Sequence, residues 1–273
     1  MLLLVLLFII ILIVFLRRKS TFKNVGGIGI VSMIKNPKNI ETWLDYHRKM
    51  GISKFYIQLE DTPNLIPYLS LQPDVYLKIN SSTGVDEYNS IQTRQNQWVD
   101  EALKLANGNV SWLIHIDCDE MLDGNLKEIY DLPDNVDTFW FQNVEAVYAD
   151  VPTEYDNCFN AAKFLDCSNE YCVSYVNGKS GGRVTPDVSS NGPHRFKSTR
   201  PDSEVKLQMI LKHYESCDFQ VYKNKFKHLA SKAEVSTIPF PYYVDSIKAS
   251  HSDEELKEVF RKYRTTNSLN KKN

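Results

Sequence analysis

Trp112-Leu113-Ile114-His115-Ile116-Asp117-Cys118-Asp119-Glu120-Met121-Leu122 is the stretch that decides how this 273-residue chain is read. An apolar run of strand length leads directly into three carboxylates. Outward toward the N-terminus, residues 88–106 read as a long helix closed by Asn107-Gly108, and residues 75–79 and 54–59 as two β-rich runs. Residues 40–50 place Trp43, Leu44 and His47 at helical spacing before the stop at Gly51. Ile28-Gly29-Ile30-Val31-Ser32-Met33-Ile34 reads as a buried strand. Strands alternating with helices predict an α/β fold: a mostly parallel central sheet with helices on its faces.

Toward the C-terminus the pattern changes. Residues 138–147 form an aromatic-rich strand and 150–177 a polar, cysteine-containing, irregular stretch. Residues 205–213 alternate as a strand does, 219–230 and 253–263 read as helices, and 265–273 as a polar tail. There is no internal repeat and no low-complexity linker. With 42% hydrophobic residues, residues 26–264 can bury the core of one domain.

Ligands of parallel α/β sheets bind at the C-terminal strand ends, where the acidic cluster lies. Alternation along an extended chain predicts Asp117 and Asp119 on one side. Paired carboxylates repel unless a cation sits between them or one is protonated. Mn²⁺ or Mg²⁺ relieves the repulsion, and such ions join carboxylates to substrate phosphates. The bland alternative is a solvated acidic turn. The first strand leads into Lys35-Asn36-Pro37 rather than a Gly-x-Gly-x-x-Gly turn, which disfavours a dinucleotide-binding dehydrogenase. A net charge of -2 gives no basic field for nucleic acid.

Residues 1–16 are continuously apolar and are followed by Arg17-Arg18-Lys19. The run is short for a bilayer core of roughly 20 residues, but the basic side chains can extend it by snorkelling. Residues 1–19 are therefore expected to be a single transmembrane helix, with a cleaved signal peptide as the competitor. Basic residues after the apolar run favour a cytoplasmic C-terminal domain on a single-pass membrane protein; a Golgi or ER lumenal domain is the alternative. The five cysteines fit a reducing compartment, with one disulfide among Cys158, Cys167 and Cys172 as an option.

Met33-Ile34-Lys35-Asn36-Pro37-Lys38-Asn39-Ile40-Glu41-Thr42-Trp43-Leu44-Asp45-Tyr46-His47, followed by Gly51-Ile52-Ser53-Lys54-Phe55-Tyr56-Ile57, resembles the opening of glycosyltransferase family 92 and its family-2-like relatives. The run from Trp112 to Leu122 resembles their Trp-to-Asp-x-Asp-Glu motif. Gly178-Lys179-Ser180 with Arg183, Gly192-Pro193-His194-Arg195-Phe196, and Leu211-Lys212-His213-Tyr214 follow in the family's order. Pro37 stands where a Glu is usual, and Cys118 and Met121 replace apolar and aromatic residues. The resemblance implies a GT-A fold. It implies metal-dependent, hexosyltransferase-like transfer from a UDP- or GDP-linked sugar to a glycan or glycoconjugate acceptor. It further implies Asp119 as the metal ligand, with Asp117 beside it or on the donor ribose, and Glu120 orienting the motif.

Around that centre, His194 and His213 compete for a further metal position, and His47 is expected to pack or hydrogen-bond. Lys35, Asp61 and Arg94 are expected to meet the nucleotide or its diphosphate; ordinary surface, turn and helix roles are their alternatives. The loop Gly178-Lys179-Ser180-Gly181-Gly182-Arg183 either closes over phosphates or is a plain connection, since it lacks P-loop spacing. A catalytic base for an inverting transfer is sought in Glu145, Asp187 or Asp202. Trp140, Phe141, Tyr148 and Tyr155 either stack on an acceptor or belong to the core. A metal-dependent phosphohydrolase and a non-catalytic GT-A-like binding module compete with the transferase.

Overall fold

The computed structural model describes residues 26–80, 88–166, 173, 175–231 and 240–266. Its centre is a nine-stranded sheet. Four strands form a parallel block: β1 (Ile28–Ile34), β2 (Lys54–Glu60), β3 (Val75–Asn80) and β4 (Trp112–His115), in the order β3-β2-β1-β4. β1, β2 and β4 are almost wholly buried, as strands covered on both faces must be.

Beyond β4 the sheet becomes mixed. β8 (Lys179–Arg183) pairs antiparallel with β4 and with β6 (Thr138–Val147). β6 runs parallel to β11 (Glu204–His213), which pairs antiparallel with β5 (Glu120–Asp123). β7 (Lys163–Asp166) lies antiparallel along the far end of β6, and β9 (Val188–Ser190) with β10 (Phe196–Ser198) forms a separate hairpin. The expected mostly parallel sheet is thus corrected to a mixed α/β sheet, compatible with GT-A. The cause lies in β8. The Gly-rich segment read as a loop is a central strand, and it reverses direction between β4 and β6.

Two helices tie this sheet to the acidic cluster. α1 (Ile40–Met50) buries Trp43, Leu44 and His47, and ends at Gly51, whose left-handed backbone donates to Arg48 and His47 carbonyls. α1 also closes the free edge of β5. Trp43 Nε1 donates to Glu120 O (2.7 Å), Tyr46 Oη to Leu122 O (2.7 Å), and Leu122 N–H to His47 Nε2 (3.2 Å). Because Nε2 accepts, Nδ1 carries the proton and donates to Trp43 O at 2.8 Å. Burial brings His47 down to about 4, in keeping with a neutral ring that has a structural task. α2 (Ile66–Ser70) is a short connection, and α3 is the long helix Tyr88–Ala106. Trp98, Val99, Ala102, Leu103 and Ala106 of α3 share a core with Val31, Tyr56, Leu113, Val188 and Phe196. Each fully buried Val, Leu or Phe side chain there contributes about 1.5–3 kcal/mol of transfer free energy.

α4 (Lys127–Tyr130) follows β5, and three helices close the chain: α5 (Phe219–Ala230), α6 (Pro241–Ala249) and α7 (Asp253–Arg264). Asp218 caps α5 by accepting from Gln220 and Val221 N–H groups. Tyr222 packs against Tyr242 (5.9 Å between ring centres) and Phe260 (5.3 Å), joining all three helices. After α7, Thr265 bridges to Tyr148 and is buried. The expected polar tail therefore begins as ordered structure; residues 267–273 lie outside the described residues.

The expected single-pass membrane helix is corrected as well. Among the described residues no helix is long and apolar enough to cross a membrane. The longest, α3, carries Arg94, Asp100, Glu101 and Lys104. Residues 1–19, on which the anchor and the membrane localisation were expected to rest, lie outside the described residues. The disulfide is also not among the expected three cysteines. Cys158 bonds Cys217, 59 residues away, while Cys167 and Cys172 lie outside the described residues. Disulfides persist in oxidising surroundings, so the cysteines no longer argue for a reducing compartment.

Candidate active site

β4 stops at His115, and the chain turns at once. Glu120 N–H donates to Asp117 O (3.2 Å), while Asp117 N–H donates to Glu120 Oε2 (2.7 Å). This tight turn removes the alternation expected of an extended chain. Asp117 and Asp119 consequently meet different partners.

Asp117 faces β8 and α3. Lys179 Nζ donates to Asp117 Oδ2 at 2.6 Å, and Gln95 Nε2 to Oδ1 at 3.3 Å. The Lys179 ammonium also lies 3.6 Å from Glu120 Oε2 and donates to Pro193 O. It is 1% exposed. Burial works against charge on Asp117, but Lys179 outweighs it and holds the carboxyl at about 2. Burial likewise lowers Lys179, yet Asp117 and Glu120 raise it above the usual lysine range. For Glu120 burial prevails and lifts the carboxyl to about 7, where Tyr175 Oη bonds Oε1. Half of the expected electrostatic problem is thus solved by the chain's own cation.

Asp119 turns to the opposite side. Its Oδ2 lies 3.8 Å from His213 Nε2, at the end of β11, and its carbonyl accepts from Tyr214 N–H. Burial raises the Asp119 carboxyl. His213 Nδ1 is 2.8 Å from Glu145 Oε1 on the adjacent strand β6; the two residues are register partners. Burial lowers His213, but Glu145 and Asp119 outweigh it and bring the ring to about 9. Glu145 is fully buried and its Oε2 accepts from Arg264 (3.3 Å), which also reaches Glu215 Oε2 (3.2 Å). Arg264, at the end of α7, and Glu215, two residues after His213, were not foreseen.

His194 belongs to the other side of the cluster. Its Nδ1 is 3.0 Å from Gly178 O, and burial brings the ring down to about 4. The Tyr175 ring stands between the histidines, 4.7 Å from His194 and 5.0 Å from His213. Among the described residues no three His, Cys, Asp or Glu side chains converge to hold a metal ion. The four expected metal residues therefore divide in two: Asp119 with His213, and Asp117 with His194 beside Lys179.

The nucleotide-side candidates occupy the neighbouring strand ends. Lys35, after β1, pairs with Asp61, after β2, at 3.0 Å. Arg94 on α3 makes a bidentate pair with buried Glu60 (2.9 and 3.0 Å), which Gln58 and Asn80 also contact. Asn36, Asn39 and Asp61 all have positive φ, a conformation enriched in Asn and Asp and frequent where backbone is strained for function. The Asp187 carbonyl accepts from Thr199 N–H and its carboxylate from Thr199 Oγ1 (3.2 Å), and Asp202 forms a turn before β11. Of the aromatic candidates, Phe141 and Tyr148 are core residues and Tyr155 is exposed. Trp140 lies between the cations of Arg195 and Lys206, each 4.7 Å from its ring.

No family model matches the chain. Two glycosyltransferase-like proteins of Arabidopsis thaliana are similar to it. One is 23% identical over 231 residues, 65% of this chain and 51% of its own length; the other is 23% identical over 216 residues, 61% and 42%. The chain spans about half the length of the curated relatives it matches. Among solved structures, HddC from Yersinia pseudotuberculosis complexed with GMP-PN is 10% identical, with a TM-score of 0.35 over 68% of this chain and 93% of that one. Rv0371c from Mycobacterium tuberculosis is 10% identical, with a TM-score of 0.32 over 43% and 66%. Overlaps at that score carry no argument. The two plant relatives, at low identity, support a glycosyltransferase assignment.

Proposed function

We propose that this chain is a nucleotide-sugar-dependent glycosyltransferase, passing a hexosyl group from a UDP- or GDP-linked donor to a glycan or glycoconjugate acceptor, with Mn²⁺ or Mg²⁺ at Asp119 and His213. The observation that carries the reading is His213, set between Glu145 and Asp119 at the C-terminal end of β11. A histidine whose Nδ1 is held by a carboxylate presents Nε2 in a fixed orientation, the usual support of a metal-ligating histidine. Hard divalent ions keep waters and substrate phosphates among their ligands, so one or two protein ligands suffice. The donor set of one accessible carboxylate and one oriented imidazole fits such an ion.

The bound ion would neutralise charge growing on the departing nucleoside diphosphate. Lys35, Asp61 and Arg94, at the ends of β1 and β2 and on α3, are proposed to line the nucleotide side. Asp117 is proposed to hold the donor ribose while Lys179 keeps it ionised. The burial of Glu145 and its bonds to His213 and Arg264 suit a supporting role better than that of a base reaching an acceptor hydroxyl.

Lys179 favours a second reading, in which it and His213 supply the positive charge without a metal. A donor screen on the full chain, read as released nucleoside diphosphate, separates the readings. Loss of release with EDTA, recovery with Mn²⁺, and loss in Asp119→Ala support the metal-dependent transferase. Full turnover in chelator selects the second reading. Cleavage of phosphate esters without any sugar acceptor selects a phosphohydrolase, and indifference to every nucleotide selects a binding module.

A further inference from the structure

Arg264 is an expensive residue to have in this fold. It is wholly buried, yet only Nη1 has hydrogen-bond partners among the described residues, Glu145 Oε2 and Glu215 Oε2; Nε and Nη2 have none. A buried ion pair with unsatisfied donors is commonly less stable than well-packed apolar side chains of the same volume. Stability alone therefore does not account for a guanidinium here.

Its surroundings fix it closely. The Arg264 carbonyl accepts from Tyr148 N–H at 2.9 Å, and Thr266 N–H donates to Tyr148 O at 3.0 Å, so backbone beyond α7 is laced to the chain just after β6. The guanidinium lies 5.5 Å from the Tyr242 ring of α6. Glu215, its second carboxylate, is itself held by Lys225 and by Tyr243 Oη (2.7 Å). From this anchored point one line of contacts leads to the proposed centre: Arg264 to Glu145 (3.3 Å), Glu145 to His213 (2.8 Å), and His213 to Asp119 (3.8 Å).

We propose that Arg264 is a positioning residue for the transferase: from the last turn of α7 it fixes the Glu145 carboxylate, which in turn sets the His213 ring toward Asp119. The role rests on the function proposed above. It makes the C-terminal helix, more than 100 residues along the chain from the acidic turn, part of the site's support (positions 119 and 264). Without Arg264, Glu145 loses the guanidinium at Oε2 and is held at Oε1 by Asn143 Nδ2 (3.2 Å) and His213, so the ring is aimed less closely. Glu215, Lys225 and Tyr243 remain as a separate bonded group.

The test compares the full wild-type chain with Arg264→Met and Arg264→Lys. Two measurements are made on each: the apparent Kd for Mn²⁺ in the presence of UDP, and the imidazole ¹⁵N signals of His213. Arg264→Met is expected to weaken Mn²⁺ binding by roughly threefold to tenfold, less than loss of a metal ligand's direct partner because Arg264 acts through Glu145, and to shift the His213 signals. Arg264→Lys is expected to restore part of both, and carries the test if the methionine variant does not fold. A merely structural arginine would lower Tm while leaving the His213 signals in place, and that result overturns the proposal. A wild-type chain that ignores Mn²⁺ and UDP sinks the proposed function; the His213 signals still decide whether Arg264 positions the ring.

Discussion

Lys179 Nζ lies 2.6 Å from Asp117 Oδ2, joining the strand that reverses the sheet to the turn that ends β4. The lysine is buried, and the carboxylate it meets is one of a pair expected to share a metal. The protein has built a cation into the acidic cluster. Removing it by Lys179→Met leaves Asp117 beside Glu120 with no positive charge between them. Breaking a buried pair on one side costs about 3–5 kcal/mol. Urea unfolding is expected to show a loss of that order, and Lys179→Met/Asp117→Asn is expected to recover part of it. A single variant as stable as wild type would show that the pair has no structural weight.

Gly178 precedes Lys179 with φ +62°, and a Cβ placed there would sit 2.0 Å from Phe141 O. Both strain and collision oppose any side chain. Gly178→Ala is expected to lower Tm by several degrees or to abolish folding, because β8 must withdraw from β6. Circular dichroism melting of the variant checks this; an unchanged Tm would mean that β8 is not seated as described.

His47 fastens α1 to the edge of β5 through Leu122 N–H. His47→Phe keeps the aromatic volume but leaves a buried N–H without an acceptor, at a cost of about 1–3 kcal/mol. The loss is expected to be constant across pH 5–8, because the wild-type ring is already neutral there. A loss that varied across that range would reveal a charged His47.

Glu215 supplies the acid limit of stability. Burial alone would raise its carboxyl, but Lys225 and Arg264 outweigh burial and hold it at about 2. Its folded-state value is depressed below the ordinary 4.5, so its contribution is fully present above about pH 4.5 and is lost as pH falls toward 2. Denaturant unfolding of wild type should therefore weaken steadily across that window, and Glu215→Gln should show a flatter slope. Parallel profiles for the two proteins would remove Glu215 from the account.

The Cys158–Cys217 bond closes a 59-residue loop from the irregular stretch before β7 to the start of α5. In the chain-entropy estimate a loop of that length stabilises by about 4 kcal/mol. Cys158→Ser/Cys217→Ser is expected to lower the urea midpoint accordingly, and a reducing agent to do the same to wild type. No difference between oxidised and reduced protein would mean that the bond does not form in solution.

Local patterning alone determined much of this molecule. The limits of β1, α1, α3, β6 and α5 follow from apolar periodicity and from stops such as Gly51 and Asn107-Gly108, because those signals act over a few residues. The same short-range logic put Asp117, Asp119 and Glu120 at the end of a buried strand. Only the tertiary structure decided how they divide. A turn within four residues sends Asp117 to Lys179 and Asp119 to His213, and no periodicity encodes where such a turn aims its side chains. Nor did the glycines of β8 announce a strand, since what they answer to is the closeness of Phe139 at Gly181 and of Val188 and Phe196 at Gly182. Lys179, Arg264 and Glu215 look like ordinary surface charges in one dimension. Their roles come from pairing across 62, 119 and 49 residues, because burying a charge is tolerable only where the fold delivers its partner.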